Sequence, residues 1–144
     1  MTGTTNTKVF GDAAEHYALS QFSFAGRYAA KMPDNWKAYD LVVEEDVGRP
    51  ARVSVKLRTE SRGWPSSRWF LFDGDVSRDC DWLVLIFKPN SGPLESWVTP
   101  FSIALREAAK PGKDAKPRQL DLKWSQLQRS PLVDYKNNWS LNKT

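Results

Sequence analysis

The sequence predicts a single α/β domain in which helices flank a central mixed sheet. The chain has 144 residues, the length of one typical domain. A helical pattern near the N-terminus is followed by several strand patterns and a second helical pattern, an order typical of α/β folds. Residues 82–87 (Trp-Leu-Val-Leu-Ile-Phe) are all apolar, as expected for a central strand that is covered on both faces.

The first element is a predicted helix that begins at Asp12. Asp12 is a suitable N-cap, and Glu15 stands three residues later, as in a capping box. Gly26 is a suitable end for this helix. Residues 1–8 are polar and are expected to form a flexible N-terminus, which leaves residues 9–144 as the single domain.

Three extended segments follow this helix. Residues 29–32 form a short one, and residues 39–44 (Tyr-Asp-Leu-Val-Val-Glu) have the composition of a strand. Residues 52–59 alternate strictly between polar and apolar side chains, which predicts a half-buried strand with one polar face. Gly48 and Pro50 mark a turn between the two longer strands, which therefore form a hairpin.

The last third of the chain predicts a strand and two helices. Residues 95–98 are expected to be a strand, and Thr99 and Pro100 are the predicted N-cap and first residue of a second helix. Residues 120–127 are compatible with either helix or strand. Pro131 is predicted to open a last short helix.

The composition limits the chemistry that the domain can carry. With 21 Lys and Arg against 17 Asp and Glu, the chain is mildly basic, which is compatible with a polyanionic partner. The single cysteine, Cys80, excludes an internal disulfide, and the single histidine, His16, argues against a multi-histidine metal site. A metal would therefore be held by carboxylates, which favours Mg²⁺-like ions.

No segment of the sequence predicts a membrane partner. The first residues lack the apolar stretch of a signal peptide, and residues 82–87 are too few to cross a bilayer. The expected location is the cytoplasm or another intracellular compartment.

Four residues combine into a candidate site: Glu15, Asp40, Ser54 and Lys56. Ser54 and Lys56 share one face of their strand, roughly 7 Å apart along its axis. If Asp40 lies opposite them in the hairpin, a carboxylate and an ammonium group meet at one sheet edge. Such a pair suits metal-assisted phosphodiester hydrolysis, in which the carboxylate holds a divalent ion and the lysine stabilises developing charge.

At these residues the sequence resembles the PD-(D/E)XK nuclease superfamily. The resemblance is carried by residues 11–15 (Gly-Asp-Ala-Ala-Glu), 39–43 (Tyr-Asp-Leu-Val-Val) and 52–59 (Arg-Val-Ser-Val-Lys-Leu-Arg-Thr), and it extends over roughly residues 9–100. It implies a restriction-endonuclease-like αβββαβ core that cleaves DNA with Mg²⁺, or with Mn²⁺ as an alternative. Many members of this superfamily act as dimers, so a homodimer or higher oligomer is expected.

The resemblance also assigns roles by position. Asp40 would be the main metal ligand and Lys56 the catalytic lysine. Glu15 would be the helix carboxylate that assists the metal or the water, and the backbone carbonyl of Val55 would also reach the metal. Together with Ser54, the three side chains are the candidate catalytic residues.

Ser54 departs from the superfamily pattern, which has Glu, Asp or Gln at this position. A Ser-Val-Lys variant leaves two explanations open. In the first, the missing acid comes from another element, with Glu60, Asp73, Asp75 and Asp79 as candidates. In the second, the domain has lost its activity and binds nucleic acid or serves as an assembly subunit.

Basic residues concentrate between positions 49 and 68, where six Lys and Arg face a single Glu. Basic side chains interleaved with aromatic ones suit a phosphate backbone and unstacked bases. The predicted DNA contacts are Arg52, Arg58, Arg62, Trp64 and Arg68. The leading hypothesis is a Mg²⁺-dependent DNA endonuclease, and a further alternative is a protein-binding module of the immunity or adaptor type.

Overall fold

The structure, a computed structural model, describes residues 3–36, 38–60, 69–73, 80–108 and 119–143. Its elements in chain order are α1 (Gly3–Phe24), β1 (Ala29–Lys31), β2 (Leu41–Asp46), β3 (Arg49–Thr59), β4 (Trp69–Asp73), β5 (Trp82–Lys88), β6 (Glu95–Pro100), α2 (Phe101–Glu107), β7 (Gln119–Lys123), α3 (Trp124–Leu127) and a 3₁₀ helix (Leu132–Tyr135).

The central sheet has five strands in the order β1-β2-β3-β5-β6. β3 and β5 are parallel, and the other neighbouring pairs are antiparallel. The connection from β3 to its parallel neighbour β5 passes through β4, which pairs with β7 in a separate two-stranded sheet. The predicted α/β class with a mixed central sheet and flanking helices is therefore confirmed, as is the hairpin of β2 and β3.

The protein has two apolar cores, one on each face of the central sheet, and the side chains of β3 alternate between these two faces. Val53 and Val55 face the core beneath α1, where they join Ala18 and Phe22. The other face of the sheet packs against the two-stranded sheet and α2. β5 contributes to both cores, which explains why its run is apolar without interruption.

The core beneath α1 also includes a residue from the last part of the chain. Trp139 lies edge-on against Phe22, with ring centroids 5.0 Å apart, and against Tyr17, with centroids 6.0 Å apart. Arg27, just after α1, donates hydrogen bonds to the backbone carbonyls of Glu44 and Ser140. The end of α1, the β2–β3 hairpin and residues near position 140 are thus held together.

Two predicted helix starts are wrong. α1 begins at Gly3 and not at Asp12. The residues before Asp12 are mostly polar, so no apolar pattern in the sequence indicates that they are helical. Asp12 is inside the helix, and its Oδ2 lies 3.3 Å from Lys8 Nζ. α2 begins at Phe101, one residue later than predicted, since Pro100 takes the cap position and the Thr99 hydroxyl bonds to the Pro100 carbonyl.

Residues 120–127 contain both of the structures that their sequence allowed, because β7 ends at Lys123 and α3 follows it directly. Pro131 does precede a short helix, which is of the 3₁₀ type. Trp82 and Trp97 are fully buried. In the described part of the chain, no helix is both long enough and apolar enough to span a membrane.

Candidate active site

Asp40 lies just before the first residue of β2, at the place where β3 continues without β2 as its neighbour. The β2–β3 ladder ends at the pair Leu41 and Val53, while β3 continues to Thr59. The Asp40 backbone N–H donates to the Val53 carbonyl at 2.9 Å, and Asp40 Oδ2 accepts a hydrogen bond from the Val55 backbone N–H at 2.7 Å. The Asp40 carboxylate therefore replaces the missing strand as the partner of Val55.

The Val55 carbonyl opens onto the same edge. The backbone N–H and C=O groups of one residue point to the same neighbouring strand, and this direction alternates along the chain. The Arg52 carbonyl faces β5, where it accepts from the Asp81 N–H, and Val53 faces β2. Val55 consequently presents its carbonyl beside the Asp40 carboxylate, beyond the end of β2.

Glu15 approaches this edge from α1. Burial, followed by the negative charge of Asp40, raises the pKa of the Glu15 carboxyl above its ordinary value of 4.5, and Lys31 opposes this shift. Lys31 Nζ lies 3.3 Å from Glu15 Oε1 and 2.9 Å from Asp34 Oδ1. The Asp40 carboxylate is thus close enough to raise the pKa of the Glu15 carboxyl.

These groups line a small cleft of about 90 Å³ between α1 and the segment that leads into β2. Its lining contains four carboxylates and one ammonium side chain, and Lys31 adds a second ammonium group through its pair with Glu15. The cleft therefore has an excess of negative charge. Its lining residues are Lys8, Asp12, Glu15, Met32, Pro33, Asp34, Trp36, Tyr39 and Asp40.

Ser54 and Lys56 lie on the other face of β3. Ser54 is opposite Leu83 and Lys56 is opposite Leu85 in the parallel pair with β5, and residues directly opposite each other in a sheet share a face. Ser54 is buried, with 6% of its surface exposed. Within the described residues, no hydrogen bond or ion pair joins Lys56 Nζ to Asp40 or Glu15. The structure brings Glu15 and Asp40 together and does not bring Lys56 into contact with them.

The candidates for a relocated acid are placed unevenly. The Glu60 carboxylate accepts hydrogen bonds from the Asn90 backbone and side chain, both at 3.2 Å, just beyond the end of β3. Asp73 is the last residue of β4, and nothing is described of its side chain. Asp75 and Asp79 lie outside the described residues.

Among the predicted DNA contacts, Arg52 already has an acidic partner. Its guanidinium Nε lies 3.2 Å from Asp81 Oδ2, and its backbone N–H donates to the same oxygen at 2.8 Å. Arg58 is opposite Phe87, on the face of β3 that carries Lys56. Arg62, Trp64 and Arg68 lie outside the described residues.

Asp34 and Trp36, which line the cleft, and Lys31, which pairs with Glu15 beside it, could not be predicted from the sequence. Lys31, Asp34 and Trp36 belong to β1 and to the segment after it, which has no recognisable motif. One signal was available: Lys31 and Asp34 are an oppositely charged pair three residues apart, beside a proline. Trp36 is half exposed and stacks edge-on against Tyr39, with ring centroids 5.7 Å apart.

The donor set at the Asp40 edge fits a hard divalent cation. In the described parts of the chain there is no group of three or more His, Cys, Asp or Glu side chains arranged to hold a metal ion. Two carboxylates and a backbone carbonyl are nevertheless oxygen donors of the kind that Mg²⁺ uses, since this ion commonly takes one or two carboxylates and keeps water and substrate phosphate as its other ligands. Asp40, Glu15 and the Val55 carbonyl provide that set.

The chain has the restriction-endonuclease-like α/β fold. No family model matches the sequence, and no curated protein matches it either. The structure is similar to that of the bacterial homing endonuclease I-Ssp6803I, with a TM-score of 0.58 and 19% sequence identity, over 94% of this chain and 89% of that chain. Hjc, a Holliday junction resolvase from Archaeoglobus fulgidus, gives a TM-score of 0.49 and 13% identity over 81% of this chain and 85% of that chain.

Proposed function

We propose that this chain is a metal-dependent DNA endonuclease that hydrolyses phosphodiester bonds. The observation that carries the proposal is that Glu15 and Asp40 line one cleft at the uncovered edge of β3. This site lies in a fold that is similar to that of a homing endonuclease. The mildly basic chain and the long uncovered edge are consistent with DNA as the substrate.

Each residue of the site has a distinct role in this proposal. Asp40, Glu15 and the Val55 carbonyl would hold Mg²⁺, which when bound lowers the pKa of a coordinated water and neutralises phosphate charge. The Val55 N–H fixes the Asp40 carboxylate in place through the 2.7 Å hydrogen bond. Lys56 would place its ammonium group on the scissile phosphate and stabilise the charge that develops there.

Lys56 suits this role because its ammonium group forms no hydrogen bond or ion pair with another described residue. Binding a phosphate would therefore break none of the contacts described for this residue. Arg58 stands two residues further along the same face of β3, and Arg62, Trp64 and Arg68 follow in the sequence. We propose that this basic stretch binds the DNA backbone and that two copies of the chain act together on the two strands.

The test is a cleavage assay on supercoiled plasmid and on branched DNA with Mg²⁺, with Mn²⁺ and with EDTA. Asp40→Asn keeps an oxygen that can accept the Val55 hydrogen bond but removes the charge, so the fold is retained and cleavage is expected to fall by at least about 100-fold. Asp46→Asn is the matched control, because Asp46 is an exposed residue at the far end of β2. Equal cleavage by both variants, or cleavage that persists in EDTA, would contradict the proposal.

A second candidate function is that of a catalytically inactive nucleic-acid-binding or assembly subunit. Ser54 favours it, because a buried hydroxyl stands where the superfamily pattern has an acid. This function predicts DNA binding that weakens steeply as salt increases, with no cleavage under any metal condition. Metal-dependent cleavage that Asp40→Asn removes would exclude it.

A further inference from the structure

Lys31 places an ammonium group beside the acidic cleft, in contact with two carboxylates of its lining. Its side chain is 18% exposed and is shared between two carboxylates, Glu15 at 3.3 Å and Asp34 at 2.9 Å. The Glu15 side chain is 23% exposed, whereas Asp34 is 74% exposed. Lys31 therefore connects an inner carboxylate, which faces Asp40, with an outer one, which faces solvent.

The position of Lys31 creates a competition at Glu15. An ammonium group beside a carboxylate lowers the affinity of that carboxylate for a second cation, because the two positive charges repel each other across a short distance. The same ammonium partly neutralises the repulsion between Glu15 and Asp40 when no other cation is present, since the Asp40 charge destabilises ionised Glu15 and Lys31 opposes this effect. Lys31 thus does in the metal-free protein part of what a bound cation would do.

We propose that Lys31 is an internal counter-cation, which pairs with Glu15 in the metal-free protein and stays with Asp34 alone when a divalent cation binds at Glu15 and Asp40. This inference rests on the proposed function, because it takes the Asp40 edge to be the metal site. It makes Lys31 a positioning residue and Asp34 its alternative partner.

The local structure favours Asp34 as the retained partner. Asp34 is three residues after Lys31, in a turn that is closed by a 2.9 Å hydrogen bond from the Trp36 N–H to the Pro33 carbonyl. The contact to Asp34 is already the shorter of the two. Lys31 therefore needs to give up only its contact to Glu15, and its charge does not have to enter solvent unpaired.

The experiment measures Mn²⁺ binding to the full chain without DNA, by electron paramagnetic resonance of the free ion. Lys31→Met is expected to bind Mn²⁺ about tenfold more tightly than wild type, the effect that one neighbouring charge commonly has on proton binding to a carboxylate. Lys31→Arg keeps the charge and is expected to bind as wild type does. Far-UV circular dichroism of each variant shows that it is folded.

Asp34→Asn completes a double-mutant cycle. In the wild-type background it is expected to weaken Mn²⁺ binding, because Lys31 loses its alternative partner and remains on Glu15. In the Lys31→Met background most of this effect is expected to vanish, since Asp34 acts through Lys31. Fully additive effects would overturn the inference, because Asp34 would then act only as a nearby negative charge.

Glu15→Gln separates this inference from the proposed function. If wild type binds Mn²⁺ and Glu15→Gln weakens that binding, the metal site stands. Unchanged or weaker binding by Lys31→Met in that case overturns the role of Lys31 alone. If neither wild type nor any variant binds Mn²⁺, the proposed metal site fails and the inference fails with it.

Discussion

The two faces of β3 hold their polar residues in different ways. On the α1 side, Glu15 pairs with Lys31 at 3.3 Å and lines the same cleft as Asp40, although the three residues come from separate segments. On the opposite side, Ser54 and Lys56 are two residues apart in sequence, yet neither is joined to the carboxylates by a described contact. The difference shows that the residues of the recognised motif are divided between the two faces, with Glu15 and Asp40 at the cleft and Ser54 and Lys56 on the opposite face of β3.

The largest effect that would sharpen this comparison is expected from Lys56→Met. Cleavage should fall about 100-fold, equivalent to about 2.7 kcal/mol of transition-state stabilisation, because the ammonium on the phosphate is lost. The free energy of unfolding should change by less than about 0.5 kcal/mol, since Lys56 forms no described ion pair or hydrogen bond. Single-turnover cleavage and urea unfolding measure the two quantities.

Lys56→Arg is the control for charge, and it should retain part of the activity. If Lys56→Met cleaves DNA as wild type does, the face of β3 that carries Ser54 and Lys56 takes no part in the chemistry. The site would then be confined to the α1 side, with Lys31 as its lysine.

An intermediate effect is expected from Ser54→Glu, which gives β3 the acid of the superfamily pattern. Ser54 is buried opposite Leu83, so the larger side chain should lower the free energy of unfolding by about 1–3 kcal/mol through overpacking alone. Urea unfolding measures this, with Ser54→Ala as the control for loss of the hydroxyl. A stable Ser54→Glu variant with stronger Mg²⁺-dependent cleavage would contradict the separation of the two faces. Residues on both faces of β3 would then contribute to one active site.

The smallest effect is expected from Glu15→Gln on the pH dependence of stability. The folded state raises the pKa of Glu15 above 4.5, so it binds this proton more tightly than the unfolded chain does. Ionisation of Glu15 therefore reduces stability as the pH rises through and above 4.5. Glu15→Gln lacks this loss. The free energy of unfolding of the variant minus that of wild type, measured by urea unfolding, should therefore increase from about pH 4 to about pH 7. A constant difference would mean that Asp40 and burial do not disfavour the Glu15 charge.

The strands could be predicted because the spacing of apolar residues and the composition of each segment determine which side chains are buried. Alternation along residues 52–59 placed Val53 and Val55 in one core, and the unbroken apolar run of β5 predicted its cover on both faces. The start of α1 could not be predicted in the same way. Residues 3–8 are polar and show no apolar pattern in the sequence, so the N-cap signal at Asp12 was the stronger one and was misleading.

The site could be predicted in part, for a related reason. The position of Asp40 beside β3 could be predicted because Asp40 precedes a strand that pairs in a hairpin, where register follows from the turn. Lys31 was missed because β1 has only three residues, too few to show a period, and its contact with Glu15 depends on how α1 packs across the sheet. Packing of distant segments leaves no local pattern in a sequence.

The place of Trp139 has a consequence for how the protein is made. The apolar face of α1 leaves the ribosome well before Trp139, which covers Tyr17 and Phe22. More than a hundred residues must therefore be translated before this face can be closed. During that interval α1 exposes aromatic surface of the kind that chaperones bind, so the nascent chain should depend on protection until synthesis has passed position 139.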